Sequence, residues 1–362
     1  MTKGLLGDFM NNTIADIAKL AGVAKSTVSR YLNGGSVSKN TSEQIERVIK
    51  ETGYVPNTFA QSLKAKVTNI IGTVVPRLDS FATSQTLIGI DDTLRALRYQ
   101  MLISNTSQDP LREIEAMYAF SRQKVAGIIL LAAGITKELL QAIDDIRIPV
   151  LLVGQQHPQL YSLIHDDYNA AYELGKYVLS KGHHRIAYLG VTEQDIAVGV
   201  KRKSGFRQAV QEVMDKEHEE YEAREENEEQ SHSLATNLVS RYDVRYYETS
   251  FKMSDARQAT EKILEQFSPS IIVCATDNIA LGVINTAYAQ GKSIPHDLSV
   301  TGFGNYDITA VVHPPLTTVE YAYREAGNTA AESIVRLVEQ QSVPKITTSK
   351  CKLVPRESVD KI

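Results

Sequence analysis

The feature that most constrains this chain is a change of hydrophobic period close to residue 68. From Ile70 onward, short runs rich in Val, Ile and Leu alternate with amphipathic stretches long enough for helices, which is the pattern of βαβ units and parallel sheet. The clearest expected strands are Ile70–Val75, Met101–Ser104, Gly127–Leu131, Val150–Val153, Arg185–Leu189, Val244–Tyr247, Ser270–Cys274 and Leu298–Gly302, with helices such as Tyr168–Lys181 and Asp277–Gln290 between them. About nine such runs exceed one comfortable doubly wound sheet. The pattern therefore predicts an α/β body of two lobes, with ligand bound where strand carboxyl ends from both lobes face each other.

Upstream of the change, the period is helical. Ile14, Ile17, Ala18 and Ala21 fall on one face of a helix that Thr13 can cap, and Gly22-Val23 breaks it. A second helix, Lys25 to Leu32, turns Val28 and Leu32 inward and leaves Lys25, Ser26, Ser29 and Arg30 outward, until Asn33-Gly34-Gly35 ends it. Thr41 followed by Gln44 reads as a capping box opening a third helix, whose Ile45, Val48 and Ile49 complete a small core before Gly53; Pro56 marks the end of the head. A helix, a tight glycine turn and a helix with hydroxyl and basic residues at its start make a helix-turn-helix. Such a second helix fits the major groove, where its first residues reach base edges. On that reading Lys25, Ser26 and Arg30 read bases, while Thr13, Thr27, Ser29 and Asn33 lie nearer the phosphates. An ordinary αα corner accounts for the apolar spacing but not for the polar face.

Charge supports a nucleic-acid partner only when it is mapped along the chain. The whole sequence is −4 at neutral pH, but residues 1–66 carry nine basic side chains against five acidic ones, a head of +4 on a body of −8. The two cysteines, Cys274 and Cys351, form no disulfide framework and have no partner at metal-ligand spacing. The longest apolar stretch, Val125 to Ile135, is 11 residues, short of the roughly 20 a membrane-spanning helix needs. With no export signal in the first 30 residues, a cytoplasmic protein is expected. No phosphate loop, nucleophile elbow or clustered metal spacing supports an enzyme, and Gly302-x-Gly304 lacks the rest of a dinucleotide fingerprint. No cofactor is expected. The run Glu217 to Glu229, eight glutamates in 13 residues, reads as a solvated loop or helix extension, and His183 and His184 as packing at a strand start.

Residues 13–33 resemble the headpiece of the lactose-repressor (LacI/GalR) family of bacterial transcription regulators. The likeness continues through Gly53-Tyr54-Val55-Pro56-Asn57-Thr58-Phe59-Ala60-Gln61-Ser62-Leu63, similar to that family's hinge, which becomes helical on specific DNA. The resemblance implies that Leu63 is a minor-groove wedge, with Tyr54, Asn57 and Ala60 as further DNA-binding positions; packing of Leu63 on the body or a dimer mate is the alternative. It extends over the body through Val125-Ala126-Gly127-Ile128-Ile129, Lys181-Gly182-His183-His184-Arg185-Ile186, Ser299-Val300-Thr301-Gly302-Phe303 and Pro314-Pro315-Leu316-Thr317-Thr318-Val319. These segments imply a body like the periplasmic sugar-binding proteins. The implied division is a head at 1–56, a hinge at 57–68 and an effector-binding and dimerisation domain at 69–362.

The same resemblance implies an effector wall. Arg202 falls where the family keeps an arginine for sugar hydroxyls or an acidic ligand, a role its planar fork of donors suits. Phe251 resembles an aromatic platform, or is core. Asp277 sits at a polar ligand position, or caps a helix. Asp79, Ser80 and Phe81 after the first strand, and Asp166 and Asn169 before the Tyr168 helix, complete the wall. The chain departs from the family at Gly302-Phe303-Gly304-Asn305, where a ligand-binding aspartate is usual at the position of Gly304; Asn305 or the backbone must then substitute. That run is more similar to regulators of sucrose and related operons in Gram-positive bacteria. The implied protein is a homodimeric repressor of a sugar-utilisation operon, binding palindromic operator DNA under control of a small sugar or sugar phosphate. Some relatives answer to a phosphorylated carrier protein instead. No leucine heptad follows Val343, which favours a dimer over a tetramer. A sugar-binding protein or carbohydrate enzyme whose head serves another purpose is the rival reading.

Overall fold

The computed structural model describes residues 12–32, 35–54, 68–132, 134–227 and 241–362. Contacts divide the chain into two units, Met1–Thr68 and Asn69–Ile362.

In the first unit, α1 (Ile14–Leu20), α2 (Lys25–Leu32) and α3 (Lys39–Thr52) enclose a core of Ile17, Ala18, Ala21, Val28, Ile45 and Val48. Thr13 and Asp16 form a reciprocal capping box on α1, and Gly22, at φ 65°, makes the turn that follows. The cap of α3 is not Thr41 but Ser38, whose hydroxyl accepts from the Thr41 amide at 3.3 Å. Thr41 instead lies inside the first turn, because α3 begins two residues before it.

The second unit consists of two α/β lobes. In the first lobe β1 (Ile70–Val75), β2 (Gln100–Asn105), β3 (Gly127–Leu130), β4 (Val150–Val153), β5 (Tyr161–His165) and β11 (Ile346–Ser349) form a wholly parallel sheet in the order β11-β5-β4-β3-β1-β2. Its central strands, β1, β3 and β4, are apolar on both sides because both faces are covered, whereas the edge strands β2 and β11 are partly exposed. Ile71 and Ile129 meet α4 (Phe81–Ala96) and α11 (Tyr323–Val338), whereas Val74 and Ile128 meet α5 (Pro110–Arg122) and α6 (Lys137–Ile146). In the second lobe β6 (Arg185–Gly190), β7 (Asp243–Glu248), β8 (Ile271–Cys274) and β9 (Ser299–Thr301) run parallel in the order β7-β6-β8-β9. There α7 (Asp167–Ser180) packs on α8 (Lys203–Asn227), and α9 (Met253–Gln266) on α10 (Asp277–Ala289). The antiparallel pair β10 (Thr318–Tyr321) and β12 (Cys351–Val354) joins the lobes, and the tail returns to the second one, where the Ile362 amide donates to the Lys181 carbonyl at 2.9 Å.

The eight strands read from sequence are present within one or two residues of the expected ends. Four more, β5, β10, β11 and β12, were not among those named. They are four or five residues long, and β11 and β12 are only partly buried, so they lack the apolar run that marks the others. The acidic run continues α8 as far as Asn227; the rest of it lies outside the described residues. His183 is buried with its Nδ1 2.9 Å from Ser270 Oγ, and burial holds it down to about 4, while the His184 ring meets Tyr242 edge-on. Both pack at the start of β6. No described helix is long and apolar enough to cross a membrane.

One carboxyl in the first lobe makes stability depend on pH. Glu113, in the first turn of α5, is buried, which pushes its carboxyl up to about 7. The unfolded chain ionises it near 4.5, so between these values the folded chain holds the extra proton and stability falls as pH rises. Glu113→Gln should abolish that loss, so that urea midpoints of wild type and variant diverge in the variant's favour from pH 5 to pH 8. An unchanged difference across that range would contradict the assignment.

Candidate nucleic-acid interface and effector cleft

On α2, the buried Val28 fixes which side faces the head core, and Lys25, Ser26 and Arg30 are consequently exposed, with Thr27 and Ser29 half-buried beside them. Positions 25, 26, 29 and 30 share a face at helical period, and no acidic residue interrupts it. That face has the shape and charge to enter a major groove. Thr13 is exposed, but its hydroxyl and amide both donate to Asp16, at 2.7 and 2.8 Å, so its polar groups serve α1. Tyr54 packs against the head core. Asn33, Asn57, Ala60 and Leu63 lie outside the described residues.

In the body, the chain reaches Arg202 through a π-helical turn, Ile196–Arg202, started by Asp195, whose carboxylate accepts from the Val198 amide at 2.9 Å. Such wide turns often mark functional sites. Arg202 is 6% exposed: its Nε donates to Asp167 Oδ1 at 2.7 Å and one terminal nitrogen donates to the Ala275 carbonyl at 2.7 Å. Its guanidinium lies 5.0 Å from the Phe303 ring centre and 4.8 Å from that of Tyr321. The Tyr321 hydroxyl donates to the same Asp167 oxygen at 3.0 Å, so one buried carboxylate holds both Arg202 of the second lobe and Tyr321 of β10.

Asp277, fully buried, is not the cap of α10. Thr276 is, and Asp277 accepts from Thr318 Oγ1 at 2.6 Å and from the Tyr306 amide at 2.9 Å, tying α10 to β10 and to the loop after β9. Burial pushes its carboxyl up to about 6. Asn305 lines the cavity but commits its Oδ1 to Arg356, at 2.5 Å, so it has its amide donors and not a carboxylate to present where the aspartate is usual. The space is taken by Tyr306. Gly304 has φ 140°, and a Cβ there would fall against the Tyr306 ring, whose centre is 4.6 Å from that of Phe81 on the other lobe. Phe81, Tyr306, Tyr321, Tyr323 and His165 form a chain of ring contacts at the junction of the lobes, where burial holds His165 below its ordinary value.

Of the other expected wall residues, Asp79 is exposed and paired with Arg77, at 2.8 and 3.0 Å, and Ser80 caps α4. Asp166 caps α7 and accepts from Asn169 Nδ2 at 2.7 Å. Phe251 packs against the second-lobe core. A cavity of about 620 Å³ opens between the lobes, bounded by Phe81, Gln85, Asn305, Tyr321, Tyr323 and Lys352. Arg202 and Asp277 do not line it; Tyr321, which does, is the link to both the cavity and the Arg202 pair. Sequence reasoning missed Asp167, Tyr306, Tyr321, Tyr323 and His165. Among the described residues no cluster could hold a metal ion.

Residues 13–57 match the model of bacterial regulatory proteins of the lacI family, residues 68–242 that of periplasmic binding proteins and the sugar binding domain of the LacI family, and residues 176–359 that of the periplasmic binding protein-like domain. A sucrose operon repressor of Staphylococcus xylosus is 37% identical over 91% of this chain and 95% of its own length. The chain belongs to the lacI family of bacterial regulatory proteins. Within that family it is also 30% identical to the transcriptional regulator DegA of Bacillus subtilis, over 88% of this chain and 89% of DegA, and 27% identical to catabolite control protein A of Priestia megaterium, over 92% and 95%. The fold is that of the lac repressor dimer bound to operator and the anti-inducer ONPF, with a TM-score of 0.80 at 23% identity over 96% of this chain and 99% of that one. A complex of the regulator CelR with cellobiose shares it, at a TM-score of 0.67, 22% identity and coverage of 96% and 99%.

Proposed function

We propose that this lacI-family protein is a sequence-specific DNA-binding repressor of a sugar-utilisation operon, acting in the cytoplasm as a homodimer on a palindromic site and controlled by a small sugar or sugar phosphate bound between its lobes. The observation that carries the reading is the uninterrupted basic and hydroxyl face of α2, held outward by Val28, on the same chain as a two-lobed body with an inter-lobe cavity. The likeness to a sucrose operon repressor supports the sugar operon. Two heads on a dimer meet the two halves of a palindrome, and a ligand that changes how the lobes meet shifts the balance between DNA-competent and DNA-incompetent forms. A hundredfold preference of the ligand for one form corresponds to about 2.7 kcal/mol of coupling.

Fluorescence anisotropy on a labelled palindromic duplex from upstream of the gene or its neighbours, titrated with sucrose, fructose, glucose and their phosphates, tests this. A protein making about six phosphate contacts should lose affinity with a log–log salt slope near −5. Lys25→Ala with Arg30→Ala should weaken specific binding by about tenfold or more without altering ligand binding to the body. Tight operator binding that no ligand of the panel alters would move control to a protein partner such as a phosphocarrier. Failure on every upstream duplex by a folded protein would refute the DNA-binding reading.

A further inference from the structure

Most charges at the lobe junction are already matched by the protein itself; Arg356, which lies behind Asn305, is held by neutral oxygens, those of Asn305, Thr309 and Leu316. Arg202 is closed by Asp167 at 2.7 Å, Arg324 at the cavity rim by Asp92 at 2.6 Å, and Arg77 by Asp79. Lys352 stands directly across the β10–β12 ladder from Glu320, both on the cavity wall. Lys350 shares that wall with Asp307 and Glu325. Helix N-termini are the other ready-made anion sites, and two of those at the junction carry a carboxylate of their own in the first turn, Asp167 on α7 and Asp277 on α10. A phosphate monoester entering here would meet no surplus of positive charge. What the cavity does offer is aromatic faces, from Phe81, Tyr321 and Tyr323, and neutral amides, from Gln85 and Asn305. Aromatic faces and hydroxyl or amide partners suit a ring with apolar C–H faces and many hydroxyls.

We propose that the ligand of this cleft is an uncharged sugar, and that Asp167 is the residue that excludes the phosphate ester, by neutralising Arg202 behind the wall formed by Tyr321. The inference rests on the reading of the body as a sugar-controlled domain, and decides between the two ligand classes left open there. Asp167 acts through Arg202 and Tyr321, as a positioning and selectivity residue. Removing its charge while keeping its shape, by Asp167→Asn, takes away the carboxylate in direct contact with the buried guanidinium and leaves only the more distant Asp195 and Asp277 to balance it, so an anionic ligand can then contribute to the balance.

Calorimetric titration of the full chain with sucrose, fructose and glucose, each beside its 6-phosphate, gives the test. In the wild type one free sugar should bind at least about tenfold more tightly than its phosphate; in Asp167→Asn that ratio should fall by about tenfold or more. Inorganic phosphate should raise the melting temperature of Asp167→Asn and leave that of the wild type unchanged. Asp167→Glu, which keeps the charge, should keep the wild-type preference. The phosphate readout needs only folded protein, so it stands even if Asp167→Asn binds sugar poorly. Should a phosphate ester bind the wild type best, or should Asp167→Asn leave both the ratio and the response to phosphate unchanged, the inference is overturned while sugar control of the body stands. Binding of none of the six compounds to the wild type would overturn the sugar-controlled reading itself, and this inference with it.

Discussion

Gly205→Ala is expected to lower the unfolding free energy by about 3 kcal/mol, at the upper end of what one added methyl group costs in a packed interior. A Cβ at Gly205 would run into the Tyr168 carbonyl oxygen and crowd the Tyr172 amide, and both belong to the backbone of α7, which has no side-chain rotamer through which to yield. The first turns of α7 and α8 must then move apart, and those turns carry Asp167 and follow directly on Arg202. Urea unfolding should register the loss, and ligand affinity should fall with it. A variant as stable as the wild type would mean that the two helices slide without cost.

The second large effect is expected at Arg202 itself. Arg202→Met keeps the length of the side chain but leaves Asp167, 3% exposed, without its counter-ion and the Ala275 carbonyl without its donor. Breaking a buried pair from one side typically costs 3–5 kcal/mol, roughly the loss urea unfolding should show here, and the stacking over Phe303 and Tyr321 is lost as well. Adding Asp167→Leu should recover much of that loss, because the penalty lies in the stranded charge more than in the absent bond. Sugar response should stay lost in both variants. If the single variant costs less than about 1 kcal/mol, Asp167 must already be solvated or otherwise paired.

A sequence pattern carries structural information where burial repeats at a fixed period, and loses it where distant residues meet. The central strands of both lobes, β1, β3, β4, β6, β8 and β9, were legible because each is buried on two faces, and the helix-turn-helix because Ile14, Ile17, Ala18 and Ala21 on its first helix, and Val28 and Leu32 on its second, recur at helical spacing against a polar face. Arg202 was found through resemblance. Its partner was not, because Asp167 sits beside Asp166 at a helix start, where one acidic residue looks like another; only the fold shows that Asp166 caps and Asp167 turns inward. Tyr306, Tyr321, Tyr323 and His165 left no joint signal, being brought together by elements as far apart in sequence as β5 and α11. Gly304 reads as a departure from a family pattern in the sequence. The structure supplies its physical reason, a tyrosine ring that leaves no room for a side chain.

The placement of β11 on the outer side of β5 bears on how the protein is made. Ser162 pairs with Ile346, so the outermost strand of the first lobe is supplied some 180 residues after the strand it covers, once all four strands of the second lobe's sheet have been translated. At about 5–20 residues per second, a ribosome takes on the order of ten seconds or more to cross that interval. During that time β5 is a bare sheet edge with the backbone groups that would later bond to β11 open to any other extended chain. Synthesis of this protein therefore passes through a stage when five strands of its first lobe exist without α11, which covers part of one sheet face, and without β11, which covers one edge, and a truncated or stalled chain ending before Ile346 is the form in which aggregation should concentrate.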